Sequence, residues 1–322
     1  MGRAFRHRRA CAGVAVGMKV LLTGAGGFLG RHVVQLLQQQ DIATVAIGRR
    51  RPLTLAPAQF HQVDLLDLRE LAQVLGACGA THLLHLAWVT DHGTYWESPH
   101  NLRWVDASLR LVEAFAAAGG RHVVVAGSCA EYDWSGDGVC VEDTTPLRPA
   151  TLYGVSKDKT RQLLLGCAAR CKLGFAWGRV FFPFGAGEDA CRLLPSLVAA
   201  LQGHVPPFGV SPRARRDFLH VADVASALLV LLQAQVTGAY NISSGVATPI
   251  FDVVRLVAGQ LGADADTILR LPSARTDGPE LLLGNNERLC ALGWQPRDDL
   301  AAALRHAVAQ LAAAEPVQPY AH

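Results

Sequence analysis

Short runs rich in apolar residues alternate with longer segments whose apolar residues recur at helical spacing through the first 180 residues. The runs at 20–22, 43–47, 59–63, 81–87, 121–128 and 174–180 predict buried strands. Between them, 28–40, 101–118 and 151–171 carry the three-to-four-residue periodicity of helices packed on one side. Strand and helix in turn, joined by short loops, predict a doubly wound parallel α/β sheet. Beyond Phe182 the pattern loosens. Pro183, Pro195, Pro206, Pro207 and Pro212 cut the chain into short pieces, and 215–220 is a strand-like island. Helices are predicted at 221–233, near 249–262 and near 298–313. The expected organisation is a dinucleotide-binding domain over 18–180 and a smaller, mixed α/β substrate-binding domain over 181–322, partly interleaved with the first.

The first strand runs directly into Thr23-Gly24-Ala25-Gly26-Gly27-Phe28-Leu29-Gly30 and then into a helix. Gly24 permits a tight turn, Gly27 lets backbone N–H groups approach a pyrophosphate, and Gly30 lets helix and strand lie close. The positive end of the helix, at Phe28 and Leu29, then faces the phosphates. The sheet is accordingly expected to be Rossmann-type. The second strand ends at Gly48-Arg49-Arg50-Arg51, and no carboxylate occurs between Asp41 and His61. A carboxylate there suits the ribose hydroxyls of NAD, whereas Arg49 suits a 2′-phosphate, so NADP(H) is favoured over NAD(H). Asp64 and Leu65, after the third strand, are placed at the adenine, and Ala87, after the fourth, beside a cofactor ribose.

Half of the residues are hydrophobic, and the formal net charge is only +3. No basic stripe with interleaved aromatics occurs, which argues against a nucleic-acid partner. The eight cysteines show neither CxxC nor zinc-ligand spacing, so no metal site is expected and a reduced, cytoplasmic protein is. Residues 1–17 pair a basic start with an apolar continuation that imitates a signal peptide but runs straight into the glycine turn. They are read as a disordered or mis-called extension. No stretch reaches about 18 uninterrupted apolar residues, so no membrane partner is expected.

Tyr153-Gly-Val-Ser-Lys157 places a phenol and an ammonium on one helix face. A nearby ammonium favours phenolate, which makes Tyr153 a candidate to move a proton to or from a sugar hydroxyl. Ser128 closes the fifth strand, at the sheet end where such folds bind ligands, and is placed to hold the reacting oxygen. In this order, the glycines, Ser128, Tyr153 and Lys157 resemble the extended short-chain dehydrogenase/reductases of the NAD-dependent epimerase/dehydratase group, which work on nucleotide sugars. DLLD (64–67), HLA (85–87), RDFLHVADVA (216–225), YNISSG (240–245) and LGWQP (292–296) add to the resemblance, which spans Met18 to about Ala313.

The resemblance implies a Ser128/Tyr153/Lys157 catalytic set, with Tyr153 and Lys157 also touching the cofactor. It implies Arg216 at a substrate diphosphate, with an ion pair to Asp217 or Asp223 as the alternative, and Tyr132 and Trp134 along the sugar pocket. His220 is taken as structural. It further implies a homodimer formed through the two long helices at 101–118 and 151–171. Departures bear on the reaction. Cys129-Ala130 stand where family dehydratases carry Asp-Glu, with Glu131 one position late. Trp104 replaces an Asn common in the long helix, and Phe182-Pro-Phe-Gly-Ala replaces an Asn-x-Tyr-Gly-Pro run. The expected activity is an NADPH-dependent nucleotide-4-keto-6-deoxyhexose reductase, with an NAD-dependent nucleotide-sugar epimerase using the same residues as the alternative. Retention of the Tyr/Lys pair argues against a non-catalytic dinucleotide sensor.

Overall fold

The computed structural model describes residues 17–67, 71–136, 138–273 and 278–313. Apart from Gly17, the N-terminal extension read from the sequence lies outside the described residues, as does Cys11. Six strands follow the apolar runs: β1 (Lys19–Thr23), β2 (Ala43–Gly48), β3 (Phe60–Gln62), β4 (His82–His85), β5 (His122–Ser128) and β6 (Gly174–Val180). They alternate with α1 (Phe28–Gln39), α2 (Leu71–Cys78), α3 (His100–Ala117) and α4 (Leu152–Cys171). Two-residue strands β7 (Pro183–Phe184), β8 (Arg215–Arg216) and β9 (Leu219–His220) flank α5 (Leu193–Leu201) and precede α6 (Val221–Gln233). The rest is β10 (Gly238–Ile242), β11 (Thr248–Pro249), α7 (Ile250–Leu261), α8 (Asp266–Leu269), β12 (Leu281–Leu282), α9 (Glu287–Cys290) and α10 (Leu300–Ala313).

Seven strands form one parallel sheet in the order β10-β6-β5-β4-β1-β2-β3. Strand order reverses between β1 and β4, which opens a crevice at their carboxyl ends. Apolar side chains alternate through the strands to both faces. Val20, Leu22, Ala46, Leu84 and Val124 face α1 and α6, whereas Leu21, Val45, Leu83, Val123 and Val125 face α2, α3 and α4. A third apolar cluster joins α5, α7, α8 and α10 through Leu197, Val254, Ile268 and Leu304. Among the described residues no helix is long and apolar enough to cross a membrane.

Several elements depart from the sequence reading, among them α5, which carries Pro195 in its first turn where a break was read. Residues 240–245 carried no assigned element in the second half, yet β10 is the seventh strand of the main sheet, with Tyr240 opposite Gly178 and Ile242 opposite Val180. Asn241 interrupts its apolar run, and it is tolerated inside because the folded chain answers its amide on both sides. Helix α2 was also unassigned. Only Leu71, Leu75 and Cys78 of its eight residues are buried, too few for a clear period.

At the amino end of the sheet, His82 and His122 are paired in register, with ring centroids 6.1 Å apart and both side chains buried. Burial pushes both rings down, His122 to about 4; Arg121 further disfavours a cation on His82, and the two rings disfavour being charged together. The folded pKa lies below that of the unfolded chain, about 6.5. As pH falls from about 6.5 to about 4, the unfolded chain binds protons that the fold refuses, so stability drops through that window. The midpoint of thermal unfolding is therefore expected to fall less between pH 7 and pH 4.5 in His122→Leu than in the wild type. Melts followed by circular dichroism at both pH values check this.

Candidate active site

The glycine turn is built as a cradle. Gly24 has φ 72°, and a Cβ there would lie 2.8 Å from the Ala87 backbone nitrogen. A Cβ on Gly30 would lie 2.0 Å from the Gly24 carbonyl oxygen, so only glycine lets α1 sit this close to β1. Thr23 locks the neighbouring strand end. Its Oγ1 accepts from the backbone N–H groups of Leu86 and Ala87 at 3.1 and 3.2 Å, which leaves its hydroxyl proton for His85 Nδ1 at 2.7 Å. His85 Nε2 then donates to Ser108 Oγ at 2.9 Å, and burial pushes this neutral ring down to about 3. Gly27 is the N-cap of α1, with no side-chain cap and no acidic residue in the first turn. The first N–H groups of the helix, at Phe28 and Leu29, are thus presented without a protein partner of opposite charge. A dinucleotide pyrophosphate fits this end on shape and charge.

The remaining cofactor candidates lie along the same crevice. Arg49 and Arg50 are exposed beyond β2, while Arg51 is exposed but turns back to donate to the Leu55 carbonyl. Asp64 Oδ1 accepts from the Leu66 N–H at 2.9 Å, and Leu65 is buried. Leu65 and Leu66 border a depression of about 290 Å³ with Leu102, Arg103, Asp106 and Ala107 of α3, which has room for a purine.

Tyr153 is brought to Ser128 by backbone packing. Thr151 Oγ1 caps α4 by accepting from the Gly154 N–H at 3.1 Å, and a Cβ on Gly154 would lie 2.3 Å from the Ala130 carbonyl oxygen. The first turn of α4 is thereby pressed onto the segment that follows β5. The Tyr153 N–H donates to the Trp96 carbonyl at 2.9 Å, which fixes the loop over the site. Lys157 Nζ donates to the Ala126 carbonyl at 3.0 Å and lies 5.8 Å from the Tyr153 ring centroid. Lowering of Tyr153 by Lys157, expected from their spacing, is not the dominant effect. Burial pushes the phenol up, Tyr95 adds to this, and a hydrogen bond with Ser128 opposes it. Burial likewise pushes Lys157 down to about 7, with Glu131 opposing.

Glu131, one position late for a dehydratase carboxylate, has a different role. Its Oε1 accepts from the Ser128 N–H at 2.8 Å and from Trp177 Nε1 at 2.9 Å, while its Oε2 pairs with Arg179 Nε at 2.8 Å. The sequence reading missed this network, although a carboxylate three residues beyond a strand-ending serine is the pattern of a capping box. Tyr132 is corrected by the same network. It is only 1% exposed, and its hydroxyl accepts from Arg179 Nη1 at 3.0 Å and donates to Asn241 Oδ1 at 2.7 Å. It is therefore a core residue behind the site, not a lining of the sugar pocket.

Aromatic rings surround Tyr153 instead. Tyr95 and Trp96 meet it edge-on at 5.0 and 5.6 Å, and Trp134 meets Trp96 at 6.4 Å while its Nε1 donates to the Cys129 carbonyl at 3.0 Å. Tyr95, Trp96 and Trp88 were not singled out from the sequence, because they belong to a loop without periodicity. Arg216 lies on β8, where Nη1 donates to the Arg215 and Glu280 carbonyls at 2.9 and 3.3 Å. Neither Asp217 nor Asp223 pairs with it among the described residues. Asp217 is bonded to Ser244, Gly245 and Gly284, and Asp223 sits against Arg297. His220 caps α6, its Nδ1 accepting from the Ala222 N–H at 3.3 Å.

Comparison with known proteins bears on the family and the fold. A UDP-glucose 4-epimerase of Neisseria meningitidis serogroup B is 25% identical over 321 residues, covering 88% of this chain and 94% of the relative. MoeE5, solved with UDP-glucose and NAD, is 31% identical with a TM-score of 0.79, covering 91% of this chain and 98% of its own. The Thermus thermophilus UDP-glucose 4-epimerase, solved with NAD, superimposes with a TM-score of 0.81 at 24% identity, covering 92% of this chain and all (100%) of its own. The profile of the NAD dependent epimerase/dehydratase family matches residues 20–243, and the chain belongs to that family of nucleotide-sugar enzymes.

Proposed function

We propose that this protein is a nucleotide-sugar epimerase that uses a tightly held nicotinamide dinucleotide, with Ser128, Tyr153 and Lys157 as its catalytic residues. The observation that carries the reading is the Ser128/Tyr153/Lys157 set, with Tyr153 and Lys157 buried and Ser128 half-buried, at the carboxyl end of β5 and in the first turns of α4. The relatives named as UDP-glucose 4-epimerases support the epimerase over the NADPH-dependent reductase first expected from the sequence. NAD in place of NADP is supported by MoeE5, solved with NAD, and by Arg51, whose guanidinium is already engaged by its own loop.

When bound, the dinucleotide supplies a reversible hydride acceptor. Tyr153 takes the proton of the reacting sugar hydroxyl while Ser128 hydrogen-bonds the same oxygen and keeps it within reach. Lys157 compensates the phenolate charge and offers an N–H to a ribose hydroxyl. The aromatic loop around Tyr153 excludes water, which strengthens each of these interactions. Return of the proton by Tyr153, after the sugar has presented its other face, completes an inversion with no net redox change. Arg216 has no carboxylate partner among the described residues, which suits a substrate diphosphate. Helices α3 and α4 pack side by side and expose Leu102, Val155, Leu163 and Leu165, which suits a homodimer formed through that face.

Protein purified without added cofactor is expected to release about one equivalent of NAD on denaturation, and to interconvert UDP-glucose and UDP-galactose without consuming NADPH. An empty site together with brisk NADPH oxidation by a nucleotide-linked 4-keto-6-deoxyglucose would instead establish the reductase. Tyr153→Phe should lower kcat by about 10²–10⁴ while the protein retains its NAD and its melting temperature. Light scattering at micromolar concentration should give the mass of two chains, and a monomer would refute the α3/α4 interface.

A further inference from the structure

Lys157 is the least conventionally paired of the catalytic residues. Among the described residues it forms no ion pair, and its ammonium has a single hydrogen-bond acceptor, the Ala126 carbonyl at 3.0 Å. One aromatic ring lies closer to it than any other. Lys157 Nζ lies 3.9 Å from the centroid of Trp88, well inside the range of a cation–π contact. Trp88 follows Ala87 directly, at the end of β4, and its orientation is fixed on two sides. Its Nε1 donates to Asn101 Oδ1 at 2.8 Å, and its ring stacks on Trp104 with centroids 6.1 Å apart and planes at 28°. Asn101 is itself fully buried, with Nδ2 bound by the Tyr95 and Ser98 carbonyls at 2.7 and 3.0 Å, so its Oδ1 is committed to Trp88. Trp104, a departure that the function had not absorbed, thereby acquires a role.

We propose that Trp88 is a positioning residue for Lys157: its indole face holds the ammonium by a cation–π contact, and Trp104 buttresses that face. The inference rests on the catalytic set proposed above, whichever sugar reaction that set performs. An ammonium has three donors. The Ala126 carbonyl takes one and the indole face a second, which leaves one N–H, of defined direction, for a ribose hydroxyl. The contact also lasts only while Lys157 is charged, so it favours the ammonium in a site where burial opposes it. The other titratable groups facing Lys157 are Tyr153 on its own helix, Glu131 on the turn after β5, and His85 on β4, which stays neutral. None of them approaches the ammonium face that Trp88 covers closely enough to form an ion pair or hydrogen bond with it.

The test is competitive acetylation of the purified full-length protein with acetic anhydride across pH 5–10, read at Lys157 by peptide mass. It is run on the wild type and on Trp88→Leu, Trp88→Phe and Trp104→Leu. The titration midpoint of Lys157 is expected to fall by roughly one pH unit in Trp88→Leu. It should fall by less than half of that in Trp88→Phe, which keeps an aromatic face, and by an intermediate amount in Trp104→Leu. The alkaline limb of kcat should move in the same direction, with KM for the nucleotide sugar changed less than threefold. An unchanged midpoint in a folded Trp88→Leu overturns the proposal. Should that variant not fold, wild-type midpoints in both Trp88→Phe and Trp104→Leu overturn it equally. A shifted midpoint in a protein with no epimerase activity would sink the functional reading and leave the Trp88 contact standing.

Discussion

The buried ion pair of Glu131 and Arg179 is the constraint on which the site depends. The two side chains are 0% and 1% exposed, and charges withdrawn so far from water are tolerated only with every lone pair and proton answered. Here they are answered by the parts of the protein that must be held in register. Trp177 and Arg179 belong to β6, the Ser128 N–H ends β5, and Tyr132 passes the network to Asn241 of β10. Asn241 in turn receives Glu142 on its N–H and gives its amide protons to the Cys140 and Asn285 carbonyls. Removal of either charge would leave its partner buried and unanswered, at a cost of about 3–5 kcal/mol. Ser128 is thus placed by the same contacts that weld the last strand to the sheet.

Around that anchor, burial holds both members of the Tyr153/Lys157 pair toward neutrality, the phenol up and the amine down. Two neutral groups and their ionised counterparts then differ by one proton moved between a phenol and an amine in a dry, aromatic enclosure. A low dielectric raises the worth of each charge to the other, so ionisation of Tyr153 is tied to the charge on Lys157. Such coupling suits the proton transfer proposed for Tyr153. Glu131, paired with Arg179, contributes a field to both residues without competing for the proton.

Local pattern made much of this legible in the sequence. β6 and α6 have the predicted ends, because a mostly apolar run and a long helical period need no distant partner to be recognised. Gly24 and Gly30 were equally readable, since each requirement arises within a few residues of turn. What stayed hidden depends on tertiary partners. β10 carries a polar Asn241 that only Tyr132 and two distant carbonyls make acceptable inside a sheet. Tyr132 was assigned to the sugar pocket because chain position places it beside Ser128, but alternation about the turn sends its hydroxyl inward to Arg179. The arginines at 49–51 suggested a phosphate, yet Arg51 is spent on closing its own loop. Trp88 and Trp104, separated by 16 positions, reveal nothing until their rings meet.

Arg216 and Asp217 show how adjacent residues of opposite charge can be given separate tasks. Their side chains take different partners. Asp217 is fully buried, and its carboxylate accepts from the Ser244 N–H and hydroxyl, both at 2.6 Å, and from the Gly245 and Gly284 N–H groups at 3.1 Å. Burial nonetheless pushes it up to about 6, with these hydrogen bonds opposing. This one side chain ties the segment after β8 to the end of β10 and to the strand at β12. With its carboxylate so occupied, Asp217 has nothing left for its neighbour. Arg216 is left with two backbone carbonyls and a face against Phe182 at 5.7 Å, contacts that orient a guanidinium without neutralising it. A cation held in place but not paired retains the most to gain from an incoming anion, because its rotamer entropy is already spent and its charge is not. The aspartate that looked from the sequence like the arginine's partner is committed elsewhere, and that is why the arginine stays unpaired, as the diphosphate role proposed for it requires.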